Sequence, residues 1–298
     1  MALQKLKPSD IKDTIHVIEV SEATGEVIEY SKALYTEEGE NKLANNKRYK
    51  VSEKELHKFL NDDFGSFFFY FYNKLDCYDI KPQHKMRFLH LASHLDYNNG
   101  NIVIKGDYNL KVRPTRQNIK DILNLKEAEF KNTMKALTEC GLLIKDDKYY
   151  NIDTSCSIRG VVTDRNKKEY TRVFIATIRN LYNKCTPKQH KQLYYLFKIL
   201  PKINVHFNVP CYNVDCDVMR DIVPMTLSDV CKAIDYDETH SGRLWNILRG
   251  FKIGDDYVIC KYTVDNNKEY IAINPRLYYA GNQIENVSYL IGIFDMVK

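Results

Sequence analysis

Two helix-like segments carry side chains of the types that read DNA bases. The outward positions of the first segment include Lys126, Lys131, Asn132 and Lys135. Asparagine can pair bidentately with adenine, and lysine can contact guanine or phosphate. Two carboxylates on the same segment, Glu127 and Glu129, count against strong binding, although a carboxylate can accept a hydrogen bond from cytosine. We therefore consider this segment a candidate recognition helix.

The second segment presents a comparable set of side chains. Its outward positions include His240, Ser241, Arg243, Asn246 and Arg249. Arginine pairs bidentately with guanine, so Arg243 and Asn246 are both of base-reading type. The acidic residues Asp237 and Glu238 open this segment, but carboxylates in a first helical turn also complement the helix dipole and do not exclude DNA.

A basic stretch separates the two segments. Residues 161–205 contain 10 basic and 2 acidic side chains, whereas residues 206–298 contain 9 and 13. A solvated surface is the simplest interpretation, but the position between two candidate reading units favours phosphate contacts, which give affinity without sequence information. The candidates for DNA contact in and near this stretch are Lys167, Lys168, Arg172, Lys184, Lys188 and Lys191, and Arg116 is a further one in the first unit.

The elements around these residues follow the order of a winged helix-turn-helix. In the first unit Thr115 is a plausible N-cap, helices are predicted over 115–123 and 126–140, and Gly141 ends the second one. A hairpin over 142–152 follows as the wing. In the second unit helices are predicted over 226–234 and 237–250, with a wing over 256–273. Two packing units that bind no ligand are the alternative interpretation.

The two units read as copies of one another. Gln83-His84-Lys85 returns as Gln189-His190-Lys191, and Tyr72-Asn73-Lys74 returns as Tyr182-Asn183-Lys184. The offset is 106 residues at the histidines, 111 between Thr115 and Thr226, and 121 between Gly160 and Gly281. A drifting offset indicates a duplicated domain with loop insertions, because the period of a solenoid would stay fixed.

The predicted class is therefore α+β, with two tandem winged helix-turn-helix domains and a small N-terminal hairpin and helix. The extension spans residues 1–60, the first domain 61–160, a basic linker 161–171 and the second domain 172–298. Strands are predicted over 16–20 and 26–30, around a turn at Thr24-Gly25. The aromatic run 67–72 could stack bases, but a core element of the first domain is the favoured interpretation.

Composition and missing motifs narrow the functional classes. The 8 cysteines are too sparse for a disulfide scaffold and form no Cys-x-x-Cys pair, so we expect reduced thiols and no metal. No P-loop, dinucleotide-binding or Gly-x-Ser-x-Gly motif occurs, so we expect no catalytic residues, no cofactor and no enzymatic activity. No run of about 18 apolar residues occurs and residues 1–13 are polar, so we expect a cytoplasmic protein with no membrane partner.

Several short phrases resemble the tandem winged-helix replication initiators of plasmids, and related plasmid or phage proteins of low-GC bacteria. They are Asp96-Tyr97-Asn98-Asn99-Gly100, the Thr-led helix openings at Thr115 and Thr226, and the endings at 148–152 and 270–275. The first ending has Asn151-Ile152 where the family has Asn-Pro. The resemblance covers roughly residues 65–281 and implies two heads on a repeated DNA site.

The expected function is sequence-specific binding of double-stranded DNA, in replication initiation or transcription regulation. The expected partner is double-stranded DNA with a repeated or palindromic site. A second copy of the chain, forming a homodimer, is a further candidate partner. A winged-helix module that binds protein, such as a phage protein acting on a host complex, is the second hypothesis.

Overall fold

The computed structural model of the chain describes residues 11–20, 27–37, 54–106, 108, 110–162, 170–264 and 268–296. Contacts divide the chain into two units, Met1–Phe59 and Leu60–Lys298. The fold is mixed α+β, with helices and small antiparallel sheets, as the sequence predicts at this level.

The N-terminal unit contains an antiparallel hairpin. Its strands are β1 (Ile11–Val20) and β2 (Val27–Tyr35), in a register that places Val20 opposite Val27. Both strands are longer than predicted, and the predicted turn at Thr24-Gly25 lies outside the described residues. Farther along the chain, a helix (α1) covers residues 54–64.

A four-stranded sheet joins the two repeats, which we call the first repeat (61–160) and the second repeat (172–298). Its strands are β3 (Phe67–Phe71), β8 (Ser157–Ile158), β9 (Tyr170–Phe174) and β14 (Tyr278–Tyr279), in the order β14-β9-β3-β8. The aromatic run forms β3, where Phe68 and Tyr70 are fully buried, so its prediction as a core element is confirmed. Tyr170 and Thr171, predicted in the linker, belong to β9.

The first repeat continues with four helices and two hairpins. The helices are α2 (Tyr72–Asp76), α3 (Pro82–Ala92), α4 (Arg116–Leu123) and α5 (Glu127–Glu139). The hairpins are β4–β5 (Ile104–Lys105 and Lys111–Val112) and β6–β7 (Leu143–Asp146 and Tyr149–Ile152). Gly141 has a φ of 78°, so the predicted left-handed residue after α5 is confirmed.

The second repeat has the same order of main elements. Its helices are α6 (Ile175–Lys184), α7 (His190–Lys198), α8 (Leu227–Ala233), α9 (Ser241–Arg249) and α10 (Ile284–Met296). The strands are β10 (Lys252–Ile253), β11 (Asp256–Tyr257), β12 (Ile259–Val264) and β13 (Lys268–Ile273), paired as two hairpins.

Three details differ from the predicted duplication. The Tyr-Asn-Lys motifs are not equivalent, because Tyr72 is the first residue of α2 and Tyr182 is the eighth of α6. The helix predicted over 237–250 is divided into a 3-10 turn (Glu238–His240) and α9. The small hairpin β10–β11 stands between α9 and β12–β13, whereas in the first repeat β6–β7 directly follows Leu142.

One continuous hydrophobic core contains residues of both repeats. Leu89 of α3, Leu137 of α5, Leu193 of α7 and Leu244 of α9 all lie within it, and each is fully buried. Burial of apolar area at this scale is the main stabilising term of folding. The described elements of the two repeats are therefore packed together as one unit.

Candidate nucleic-acid interface

A reciprocal cap and a left-handed turn hold the helix pair α4–α5. Thr115 Oγ1 accepts a hydrogen bond from the Asn118 backbone N–H at 3.4 Å, and Asn118 Oδ1 accepts one from the Thr115 backbone N–H at 3.0 Å. This box satisfies amide groups that a helix start leaves without partners. Asn124 then has a φ of 48°, which asparagine tolerates, and it redirects the chain into α5.

The helix pair α8–α9 repeats this local design 111 residues later. The Asp229 backbone N–H donates to Thr226 Oγ1 at 3.2 Å, and the Thr226 N–H donates to Asp229 Oδ2 at 2.9 Å. Asp235 has a φ of 53°, so it corresponds to the left-handed Asn124. The N-cap predicted at Thr115 is thus confirmed, and Thr226 has the same role in the second repeat.

A lysine–glutamate ion pair joins the two helices at the turn in each repeat. Lys120 Nζ lies 2.8 Å from Glu127 Oε2, and Lys232 Nζ lies 2.7 Å from Glu238 Oε2. The ammonium group of Lys120 holds the pKa of the Glu127 carboxyl below its usual range, and Lys232 does the same for Glu238. Glu127, whose charge counts against DNA binding in the sequence, and Glu238 thus each have a structural ion pair beside the turn.

The predicted DNA-contact side chains of α5 all lie on its exposed side. They are Lys131, Asn132 and Lys135, with Lys126 at the N-cap. The opposite side of the helix buries Phe130, Met134 and Leu137. Ion pairs engage two of these lysines: Lys131 lies 3.8 Å from Glu127, and Lys135 lies 3.7 Å from Glu139.

Arg116, the candidate at the start of α4, is exposed, but its guanidinium contacts two other side chains. Its guanidinium lies 4.7 Å from the centre of the Phe130 ring and 3.8 Å from Glu127 Oε1. Exposed pairs of this kind are weak, so a phosphate group could replace the carboxylate as the partner of Arg116.

The candidate residues of α9 are also brought to one helix. Arg243 and Asn246 are exposed, while Leu244 and Leu248 on the other side are buried. Arg249 is only half-exposed, because its guanidinium lies 4.3 Å from the centre of the Tyr257 ring. The exposed pair therefore comprises the two side chains of base-reading type on this helix.

Cations flank a hairpin tyrosine in both repeats. Tyr149 of β7 lies beneath Arg113 at 4.6 Å and near Lys148 at 5.3 Å. Tyr257 of β11 lies 4.5 Å from Lys252, in addition to its contact with Arg249. Arg113, Lys148 and Lys252 are not among the residues predicted from the sequence. Of the three, only Lys148 adjoins its tyrosine in the chain, so only Lys148 carries a sequence signal.

Three lysines of the predicted phosphate patch are exposed. Lys184 ends α6, Lys188 lies in the turn before α7, and Lys191 is the second residue of α7. Two other predicted members, Lys167 and Lys168, lie outside the described residues. The three exposed lysines are close together in sequence and present no ion pair among the described part of the chain.

The prediction that Arg172 contacts DNA phosphate is wrong, because Arg172 is buried in this structure. It has 4% exposure and belongs to β9, an inner strand of the sheet. Its guanidinium donates to the backbone carbonyl of Gly281 at 2.9 Å and approaches those of Tyr279 and Ala280. Arg172 thus ties the sheet to the end of β14.

Two other cations of residues 161–205 are also engaged within the protein. Arg179 donates to Ser93 Oγ at 3.0 Å and to the Ser93 carbonyl at 2.6 Å, and burial lowers its pKa. Lys198 Nζ lies 2.6 Å from Asp235 Oδ2. The exposed basic surface is consequently smaller than the sequence charge indicates.

A buried polar cluster lies where the two repeats meet. Arg87 of α3 is 2% exposed and donates to Thr133 Oγ1 of α5 at 2.8 Å and to His190 Nδ1 of α7 at 3.2 Å. Glu129 Oε1, at 3.3 Å, is the carboxylate partner of Arg87. Arg87 is not among the residues predicted from the sequence, although an arginine between Met86 and Phe88 in an apolar helix indicates a buried charge.

Histidines complete the cluster in their neutral form. The Tyr182 ring is stacked between His90 at 3.8 Å and His190 at 4.1 Å. Burial, reinforced by the charge of Arg87, lowers the pKa of His84 to about 4 and that of His190 to about 3. A protonated ring nitrogen cannot accept a hydrogen bond. The neutral form of His190 therefore allows Nδ1 to accept the hydrogen bond from Arg87.

Comparisons with known proteins do not help to interpret this site. The chain matches no family model, no curated protein and no solved structure. Among the described residues, no helix is both long and apolar enough to span a membrane, and no group of three His, Cys, Asp or Glu side chains could hold a metal ion.

Proposed function

We propose that this chain is a sequence-specific double-stranded DNA-binding protein with two winged-helix reading heads. The observation that carries the proposal is the repeated helix pair, with the same cap, left-handed turn and interhelical ion pair, followed each time by hairpins. In each repeat the second helix exposes an asparagine together with basic side chains. The major groove admits one helix, and these are the residue types that read base edges.

Phosphate contacts would come from exposed cations around the heads. Lys184, Lys188 and Lys191 supply a basic surface in the second repeat, and further cations lie over the hairpin tyrosines Tyr149 and Tyr257. Phosphate contacts position a protein on DNA without selecting sequence. The proposal therefore divides the interface into base-reading helices and a general basic surface.

The proposed biological role is replication initiation or transcription regulation, for a plasmid or phage, in the cytoplasm. It assigns no catalytic residue and no cofactor. The family resemblance of short phrases in residues 65–281 motivates this role, and it is an argument by analogy.

A second candidate function, a protein-binding module, rests on exposed apolar residues in the first repeat. Tyr108 is 95% exposed, Leu110 64% and Val112 42%, all on or beside the hairpin β4–β5. Contiguous exposed apolar side chains are typical of protein interaction sites. This alternative predicts weak affinity for DNA.

Fluorescence anisotropy with a labelled random-sequence duplex distinguishes the two functions. A DNA binder loses affinity steeply as the salt concentration rises, because each phosphate contact releases counterions. We expect measurable binding at 50 mM salt and a loss of about 10³-fold or more at 200 mM if six or more phosphates are contacted. Absence of binding at the lower concentration would overturn the proposal and leave the protein-binding module.

A matched pair of triple variants tests the phosphate assignment. Replacing Lys184, Lys188 and Lys191 with alanine should lower affinity for all duplexes alike and reduce the salt slope by about 1 per lysine. The control replaces Lys74, Lys81 and Lys105, which are exposed in the first repeat, and changes the net charge equally. Equal loss in both variants would show that net charge alone, and not the position of these lysines, governs binding.

A further inference from the structure

The central sheet has the pairing pattern of a local two-fold axis. Phe69 pairs with Arg172 at the middle of the antiparallel pair β3–β9. On the outer sides, Phe69 pairs with Ile158 of β8, and Arg172 pairs with Tyr279 of β14. Exchanging β3 with β9 and β8 with β14 therefore reproduces the pairing residue by residue. The two repeats are joined as the two subunits of a symmetric dimer would be.

Loop contacts beyond the sheet follow the same exchange. An antiparallel bridge joins Leu95 to Ile102 in the first repeat, and another joins Ile203 to Pro210 in the second, both at an offset of 108 residues. A Cβ atom on Gly160 would collide with Asn98, and one on Gly281 would collide with the Tyr279 ring. The repeats thus match at the turn after the first long helix, and each ends in a glycine at which a Cβ atom has no room.

The candidate recognition helices are attached to this symmetric centre. Helices α3 and α7 pack against each other across the two repeats. Helices α4 and α5 pack on α3, and α9 packs on α7. A two-fold relation of the centres therefore makes α5 and α9 run in opposite senses, as the recognition helices of a homodimer do on a palindrome.

A buried hydrogen-bonded link fixes the spacing of the heads. Arg87 joins Thr133 of α5 to His190 of α7 at 2.8 and 3.2 Å, so the recognition helix of the first repeat is bonded to the body of the second. Heads on a flexible linker would tolerate variable spacing, whereas this arrangement does not.

We propose that one chain reads both halves of an inverted-repeat DNA site, with unequal half-sites at one fixed spacing. The inference rests on the proposed function and adds the orientation, spacing and stoichiometry of the target. The half-sites are unequal because Lys131 and Asn132 face one of them, while Arg243 and Asn246 face the other. The chain would thereby do alone what a homodimer does on a perfect palindrome.

Selection from a random-core duplex library tests the orientation. We expect the enriched sequences to contain two different half-sites in inverted orientation, and native mass spectrometry to show one chain per duplex. Half-sites in direct orientation, a single half-site, or two chains per duplex would overturn this inference while leaving DNA binding intact. Failure to enrich any sequence would overturn the proposed function together with the inference.

Spacer variants of the enriched duplex test the fixed spacing. Inserting about 5 bp between the half-sites rotates one of them by about half a helical turn, and about 10 bp restores the phase but lengthens the site. Because the heads are packed into one unit, both insertions should weaken binding at least about tenfold, the loss of one good base contact or more. The same insertions outside the half-sites are the control. Unchanged affinity for the 10 bp spacer would contradict a rigid arrangement.

Discussion

The two candidate recognition helices differ in what surrounds their cations. On α5, Lys131 and Lys135 each lie within 3.8 Å of a glutamate on the same helix. On α9, Arg243 has no ion pair among the described residues, and Asn246 is exposed beside it. The two repeats thus share a scaffold and differ in electrostatics, so under the proposed function the second repeat would be the stronger base-reading head.

The helices that meet at the centre differ in a second way. Gln83-His84-Lys85 and Gln189-His190-Lys191 are equivalent, and three residues after each histidine stand Arg87 and Leu193. Leu193 packs in the core, whereas Arg87 places a charge there and bonds to both repeats. The Arg87 link therefore has no counterpart at the equivalent position of the second repeat.

Replacing Arg87 should have the largest effect on stability. Arg87→Ala leaves His190 Nδ1 without its donor and opens a cavity, so the free energy of unfolding should fall by about 2–5 kcal/mol. Urea unfolding of the full chain, followed by circular dichroism, measures the change. Arg116→Ala, at an exposed arginine of the same repeat, is the control and should lose less than about 1 kcal/mol. Similar losses in both variants would contradict a structural role for Arg87.

Lowering the pH should reduce the free energy of unfolding through the buried histidines at the centre. The folded-state pKa values of His84 and His190, about 4 and about 3, lie below the unfolded value near 6.5. The unfolded chain therefore binds more protons below pH 6.5, and stability present above that pH is lost as the pH falls towards 4. Each such histidine contributes a slope of about 1.4 kcal/mol per pH unit.

Urea unfolding at several pH values between 7 and 4 measures this slope. His190→Gln should make it shallower, because it removes one of the imidazoles that are buried in neutral form. An unchanged slope in His190→Gln would mean that this imidazole titrates normally.

The helix caps should show the smallest and most equal effects. Thr115→Ala and Thr226→Ala each remove a capping-box acceptor, so each should lose about 1 kcal/mol of unfolding free energy. Thr→Ser at the same positions keeps the acceptor and serves as the control. A silent Thr226→Ala beside a costly Thr115→Ala would break the equivalence of the two helix pairs.

Local features of the fold could be predicted from the sequence. The caps at Thr115 and Thr226, the left-handed Gly141 and the core role of the aromatic run depend on residues close together in the chain. Helical periodicity likewise predicted which side of α5 is exposed. Such features follow from local geometry and need no knowledge of distant neighbours.

The features that could not be predicted depend on contacts between distant segments. Arg172 was assigned to a phosphate surface because its sequence neighbours are basic, but the pairing of β9 between β3 and β14 buries it. Tyr182 was matched to Tyr72 by a three-residue motif, although its ring is stacked between His90 and His190. The pairing of β3 with β9 could not be predicted either, because the sequences of two strands about 100 residues apart do not indicate that they pair.

Base reading by both heads is the central claim, and matched substitutions test it most directly. Asn132→Ala and Asn246→Ala are compared by anisotropy titration on the duplex enriched from the random library, with Ser288→Ala, at an exposed serine of α10, as the control. Each asparagine variant should weaken binding to the enriched duplex by about 1–3 kcal/mol, with the larger loss for Asn246, and leave binding to random duplex unchanged. Wild-type affinity of either variant for the enriched duplex would contradict reading by both repeats.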